Sequence, residues 1–184
     1  MIVGILGGTF DPPHLGHLDV ASIALDTGAV EQVWLVPCLT HRFGKSPAPF
    51  PHRLAMCRLL AETDERIRVS GIEEELNRPG YTLDLVMALR EQYPETDFRL
   101  LAGTDIYHQK DQWHRYDDVA RLAPPIYIER VGEPPIPEPT LGPAKEISSS
   151  TLRQMLSRGE RPTGLTLESI CGYIETHALY RNGK

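Results

Sequence analysis

Residues 7–18, GGTFDPPHLGHL, gather the groups in this chain best suited to holding an anion. Gly7 and Gly8 let backbone amides come close to a phosphate, and Thr9 and Phe10 follow them directly. His14 and His17 are three residues apart with Gly16 between them, so both imidazoles can point at one spot near a helix N-terminus. Unpaired N–H groups and the helix dipole favour negative charge there. The same residues would equally form a turn whose histidines cap the helix or join Asp11 around a metal, and the segment alone leaves these readings open. Far downstream, Ile147–Arg153 (ISSSTLR) offers serines at a helix start, with the hydroxyls of Ser149 and Ser150 near the planar guanidinium of Arg153. Alone, that is a serine-capped surface helix. Paired with the first segment, it is a second wall for a triphosphate.

The surrounding sequence supplies elements that would position both segments. Ile2 to Leu6 is an apolar run read as a strand, followed by the glycine turn and a helical pattern from His17 to Asp26 that Gly28 closes. The alternation continues with strands over Gln32 to Val36, Ile67 to Ser70 and Asp97 to Ala102, and helices over His52 to Glu62 and Thr82 to Gln92. Strand and helix repeated in that order predict an α/β fold, with a parallel sheet covered by helices. Ligands of such folds collect at the carboxyl ends of strands, where GGTF stands. Pro125 to Glu129 is a further strand, and the proline-dense Glu133 to Pro143 is read as an extended connector. About 40 residues follow it, too few for a comfortable second core, so 1–184 is expected to be a single domain with 146–184 as its C-terminal helical part.

Bulk properties narrow the partners. Against 19 basic residues stand 25 acidic ones, a net charge of -6, and no lysine- or arginine-rich run gives a nucleic-acid footprint. The three cysteines, Cys38, Cys57 and Cys171, are widely spaced and form no CxxC pair, which fits a reducing cytoplasm rather than a disulfide framework or a cysteine zinc site. No signal-peptide pattern or run of 18 apolar residues is seen, so a soluble protein without a membrane partner is expected. There is no GxGxxG, and Gly44-Lys45-Ser46 is not a P-loop because Leu39 stands where the first glycine is required.

GGTFDPPHLGHL resembles the first motif of the T/HxGH nucleotidyltransferases, and the nicotinate-nucleotide adenylyltransferase family in particular. Ile147–Arg153 resembles that family's ISSTxIR, about 130 residues downstream in the right order. Between them, Arg78-Pro79-Gly80-Tyr81-Thr82 resembles its RxxSYT with one residue fewer after the arginine, Gly103-Thr104-Asp105 its GAD, and Arg130 with Gly132 its RxG. Trp113 falls near the place of the family's tryptophan, and Tyr173 to Tyr180 resembles YIxxHxLY. The likeness covers nearly the whole chain, and it implies a Rossmann-like doubly wound parallel sheet with helices on both faces and a C-terminal helical cap.

The resemblance also implies a reaction: the 5′-phosphate of nicotinate mononucleotide attacks the α-phosphorus of ATP in line, giving deamido-NAD and pyrophosphate for NAD biosynthesis. Mg²⁺ is implied on the phosphates, with no side-chain metal ligands. His14, His17, Lys45 and Arg153 would act on the phosphates, with Ser149 and Ser150 at their β/γ end. Gly7, Gly8, Thr9 and Phe10 would lie against the nucleotide, and Gly103 and Asp105 near the adenosine ribose. Tyr81, Thr82, Trp113 and Arg130 would receive the mononucleotide, although Trp113 is open to a core role as well. The chain departs from the pattern where Gly80 replaces a serine, Leu85 replaces a threonine, and Thr40 to Lys45 replaces a PPHK loop. Lys45 or Arg42 is left to supply that loop's cation. Alternatives are another acceptor within the superfamily, such as nicotinamide mononucleotide or pantetheine phosphate, and a nucleotide sensor without turnover. Oligomeric state is open.

Overall fold

The computed structural model describes residues 1–39, 47–76 and 80–181. Six parallel strands form one sheet in the order β3-β2-β1-β4-β5-β6. They are β1 (Ile2–Gly8), β2 (Gln32–Pro37), β3 (Ile67–Val69), β4 (Asp97–Gly103), β5 (Pro125–Arg130) and β6 (Thr140–Ala144). The helices are α1 (Leu15–Asp26), α2 (Phe50–Ala61), α3 (Ile72–Leu76), α4 (Thr82–Gln92), α5 (Thr104–Gln109), α6 (Tyr116–Leu122), α7 (Ser149–Ser157) and α8 (Glu168–Thr176). This is the doubly wound, Rossmann-like arrangement that the alternating pattern and the family resemblance predict.

Strand side chains alternate between two cores because successive residues point to opposite faces. Val33, Leu35 and Leu101 join Ala21, Ala24, Met56, Cys57, Leu60, Ile170 and Ile174 on the α1, α2 and α8 side. Val3, Ile5, Trp34, Phe98 and Leu100 meet Leu83, Val86, Leu89 and Val119 on the α4 and α6 side. The strands are therefore covered on both faces, which explains why they read as nearly unbroken apolar runs.

The C-terminal part packs into the first of these cores: Ile170 and Ile174 of α8 are buried there, and His52 Nδ1 of α2 meets the Tyr173 hydroxyl at 3.0 Å. One expectation needs correction. The stretch from Glu133 to Pro143, expected to be a connector throughout, enters the sheet at Thr140 as β6. Proline is tolerated there because β6 is an edge strand and Pro143 needs no ladder N–H on its outer side. The five-residue α3 and the short α5 and α6 have too few turns to leave a periodic signal.

At the middle of the sheet, β1 and β2 stay paired from Val3↔Gln32 to Gly8↔Pro37, whereas β1 and β4 pair only from Ile2↔Asp97 to Ile5↔Leu100. Beyond that point both strands continue, to Gly8 and Gly103, without pairing to one another. Their free carboxyl ends form the cleft in which the site sits.

Packing of α8 into the shared core predicts that Ile174→Ala costs about 2–4 kcal/mol, the range for emptying a buried aliphatic site. Urea unfolding followed by circular dichroism should show one transition at a lower midpoint. A separate early transition, leaving the sheet intact, would make 146–184 an independent unit.

Candidate active site

A cleft of about 1640 Å³ opens over the parted ends of β1 and β4. It is larger than the roughly 300–1,000 Å³ typical for one small ligand, so there is room for two substrates side by side. Gly7, Gly8, Thr9, Phe10, His14 and His17 line one side, and Gly103, Asp105, Trp113 and Arg130 line another. Ser149, Ser150 and Arg153 close it from α7, and Thr82 reaches it from α4. Tyr81 is the N-cap residue of α4, with its ring 4.3 Å from that of His114, and it does not line the cleft. Lys45 and Arg42 lie outside the described residues, as does Arg78.

The two histidines are held as a stacked pair, with ring centroids 3.7 Å apart and planes 31° from parallel. His14 is the N-cap of α1, and His17 Nδ1 accepts the His14 backbone N–H at 3.2 Å. That bond fixes the tautomer: with Nδ1 accepting, the neutral His17 ring carries its proton on Nε2 as a donor. Gly16 leaves little room for a side chain, because a Cβ there would stand 3.0 Å from His14 Nδ1 and 3.2 Å from the Lys145 carbonyl. Burial, then the Arg130 charge, lowers His14 to about 4. His17 is pushed well below the ordinary imidazole range by burial, then by His14 and Arg130. Both rings are therefore neutral at pH 7 and act as hydrogen-bond donors, not as fixed cations.

Fixed cations come from arginines. Arg130, at the end of β5, donates to Asp105 Oδ2 at 3.1 Å, and its field reaches both histidines. A Cβ on Gly103 would lie 2.7 Å from Arg130 Cδ, which makes a side chain at that position incompatible with the arginine's path. Arg153 Nη1 donates to the Asp11 carbonyl at 2.6 Å and Nη2 to Ser150 Oγ at 3.1 Å. Ser148 caps α7 by accepting the Thr151 amide at 3.2 Å, and the Ser149 hydroxyl donates to the Pro12 carbonyl at 2.9 Å. These bonds join α7 to the loop after β1 across more than 130 residues of sequence.

On the opposite side of the cleft, Trp113 is half-buried against the α4 core, packs edge-on to Tyr116 at 6.0 Å, and also lines the cavity. Its core role and its access to ligand are thus compatible. Glu73 is buried beside Gly80, where a Cβ would stand 3.1 Å from its Oε2. A side chain at position 80 would require that carboxylate to give way by a few tenths of an ångström. Among the described residues no cluster of three or more His, Cys, Asp or Glu could hold a metal ion.

Sequence reasoning missed Arg53. Its side chain is 1% exposed, and it donates to the carbonyls of Thr9, Cys38 and Ala48 at 2.8 Å each and of Leu39 at 3.1 Å. One guanidinium thereby ties the end of β1 to both flanks of residues 40–46. A signal was present: Arg53 lies on the same helical stripe as Met56, Cys57 and Leu60, a position where an unpaired charge is out of place.

Comparison with known proteins places the chain in a family. The cytidylyltransferase-like family model matches residues 5–155. A relative from Anaeromyxobacter sp. (strain K), named "Probable nicotinate-nucleotide adenylyltransferase", is 42% identical over 182 residues, covering 97% of this chain and 96% of its own length. The chain belongs to the nicotinate-nucleotide adenylyltransferase family. The Myxococcus xanthus relative of the same name is 38% identical, over 97% of this chain and 94% of its own. In fold, the chain is similar to the Plasmodium falciparum nicotinic acid mononucleotide adenylyltransferase complexed with NaAD, with a TM-score of 0.83, 22% identity and 97% of each chain covered. Membership of this family makes the chain a nucleotidyltransferase. No helix among the described residues is long and apolar enough to cross a membrane.

The low folded-state affinity of His14 for protons has a consequence for stability. A group whose pKa falls on folding costs nothing above its unfolded value near 6.5, and destabilises as pH drops from there towards 4 because only the unfolded chain gains the proton. Between pH 7.5 and 5, His14 should cost about 2 kcal/mol. His17 shifts in the same direction. Urea midpoints at the two pH values should therefore differ less in His14→Gln than in the wild type, and equal differences would place the acid sensitivity elsewhere.

Proposed function

We propose that this chain transfers the AMP portion of ATP to nicotinate mononucleotide, forming deamido-NAD and releasing pyrophosphate. The observation that carries the reading is the convergence of two imidazoles, a glycine turn and the α7 N-terminus on the one cleft that the sheet opens. Family membership supplies the substrate class.

In this reading, a 5′-phosphate oxygen of the acceptor forms a bond to the α-phosphorus while the α-phosphorus to bridging-oxygen bond breaks, and the electron pair leaves with pyrophosphate. The Nε2–H of His17, with His14 stacked on it, donates to α- and β-phosphate oxygens as charge builds on them. Being neutral, the imidazoles need no deprotonation before they bind. Arg153 and the Ser150 hydroxyl meet the β/γ end, with Ser149 fixing the loop through Pro12, and Arg130 adds positive field near the reacting phosphates. Lys45 is assigned to the phosphates on the resemblance alone. Gly103 and Asp105 are assigned to the adenosine ribose. Thr82 and Trp113 form the pyridine end, where a stacked indole and the backbone N–H groups at the start of α4 suit an electron-poor ring bearing a carboxylate. Mg²⁺ enters as part of the magnesium–ATP substrate; the two aspartates nearest the phosphate-binding motifs, Asp11 and Asp105, are already engaged by Tyr180 and Arg130. The unpaired cysteines support a cytoplasmic setting.

Two measurements test the reading. His17→Asn keeps an acceptor for the His14 amide but removes the Nε2 donor, so kcat should fall by about 10²-fold with melting temperature nearly unchanged. A folded variant with near-normal kcat ends the donor role. Pyrophosphate release should also favour nicotinate over nicotinamide mononucleotide in kcat/KM by roughly 1–3 kcal/mol, the scale of a charge-assisted hydrogen bond. Trp113→Ala should weaken both acceptors. Equal wild-type values overturn the preference, and an unaffected Trp113→Ala returns that residue to the core alone.

A further inference from the structure

Tyr180 belongs to the C-terminal ending that resembles the family's, where the resemblance assigns it no chemistry. It lies four residues beyond α8, is 6% exposed, and adopts a left-handed backbone with φ 62°. Non-glycine residues take that conformation at a cost of about 1–2 kcal/mol unless something holds them there. Here the phenol hydroxyl donates to Asp11 Oδ1 at 2.8 Å.

Asp11 is buried at the root of the phosphate loop, and its carboxylate is shared among three chain segments. Oδ1 accepts the Tyr180 hydroxyl and, at 3.0 Å, the Ala48 amide. Oδ2 faces Arg153 Nη1 at 3.6 Å, beyond good hydrogen-bond range, while Nη1 itself donates to the Asp11 backbone carbonyl. A buried carboxylate requires donors, and the strongest nearby is the guanidinium. Two neutral donors on Oδ1 meet that requirement without drawing Arg153 into a two-pronged pair. Arg153 stays 28% exposed, towards the cleft. Burial, reinforced by the Asp11 charge, pushes the phenol up, so it remains a donor at working pH.

We propose that Tyr180 is a positioning residue for adenylyl transfer, holding Asp11 so that Arg153 stays turned towards the nucleotide phosphates. The inference rests on the reading above that Arg153 contacts those phosphates. Without the phenol hydroxyl, Oδ1 loses a donor in a buried site, and Arg153 closes onto Asp11 and away from ATP.

A double-mutant cycle on the full chain tests this, with the KM for ATP, kcat and melting temperature read for each variant. Tyr180→Phe should raise the KM for ATP about 5–10-fold, the net scale of one hydrogen bond, with a smaller change in kcat. In an Arg153→Ala background the same substitution should change KM less than about twofold. Asp11→Asn supplies a second arm: it keeps an acceptor for the phenol but removes the charge that competes for Arg153, so Tyr180→Phe should again leave KM unchanged. A purely structural tyrosine would instead give the same fold-change in every background, and that additive result overturns the proposal. If Arg153→Ala alone leaves the KM for ATP unaltered, the phosphate role of Arg153 fails and the positioning role with it. A normal Arg153→Ala defect with an additive cycle removes the positioning role only.

Discussion

The structure depends on a parting of two strands. β1 and β4 share a ladder for four residues and then separate, because the chain leaving β1 turns to α1 on one face while the chain leaving β4 turns to α5 on the other. A cleft at that point follows from the winding itself. Backbone N–H groups on the freed ends, which a ladder would otherwise occupy, face a space where a ligand can take their hydrogen bonds. Several polar groups of the site hang on the strand ends around that cleft: the histidines through the turn after β1, Asp105 just after β4, and Arg130 at the end of β5.

A second constraint is that a site for a highly charged ligand has to remain folded when the ligand is absent. Fixed positive charge in a partly buried cleft repels itself, and three features keep that repulsion low. The histidines are neutral. Arg130 and Arg153 each lie near an aspartate, but singly and with hydrogen bonds to spare. Arg53 keeps its charge behind the loop, dispersed over four carbonyl dipoles. Arg130 and Arg153 are therefore available to a phosphate without being free to move.

Much of this was legible in the sequence because the signals were local. The strand-helix alternation gave the sheet, and His14-x-Gly16-His17 with Ser149-Ser150-x-x-Arg153 gave two walls of the cleft, since each motif lies within one turn of chain. What escaped was long-range. The Asp11 to Tyr180 bond spans 169 residues, and the Arg53 to Thr9 bond spans 44, distances at which no periodicity carries information. Position 80 shows the same limit: its glycine departs from the family pattern, and its close neighbour, Glu73, comes from a helix too short to foresee. The entry of the Glu133 to Pro143 stretch into the sheet escaped because proline density argues against a strand, and only the edge location removes that objection.

That edge location bears on how copies of the chain can meet. One rim of the sheet is β3, only three residues long, and the other is β6, which carries Pro143 and a register shift against β5. A long, regular rim would offer unpaired backbone groups as a template on which a second sheet could continue. Among the described residues neither rim presents such a row, so strand-to-strand growth is blunted at both ends.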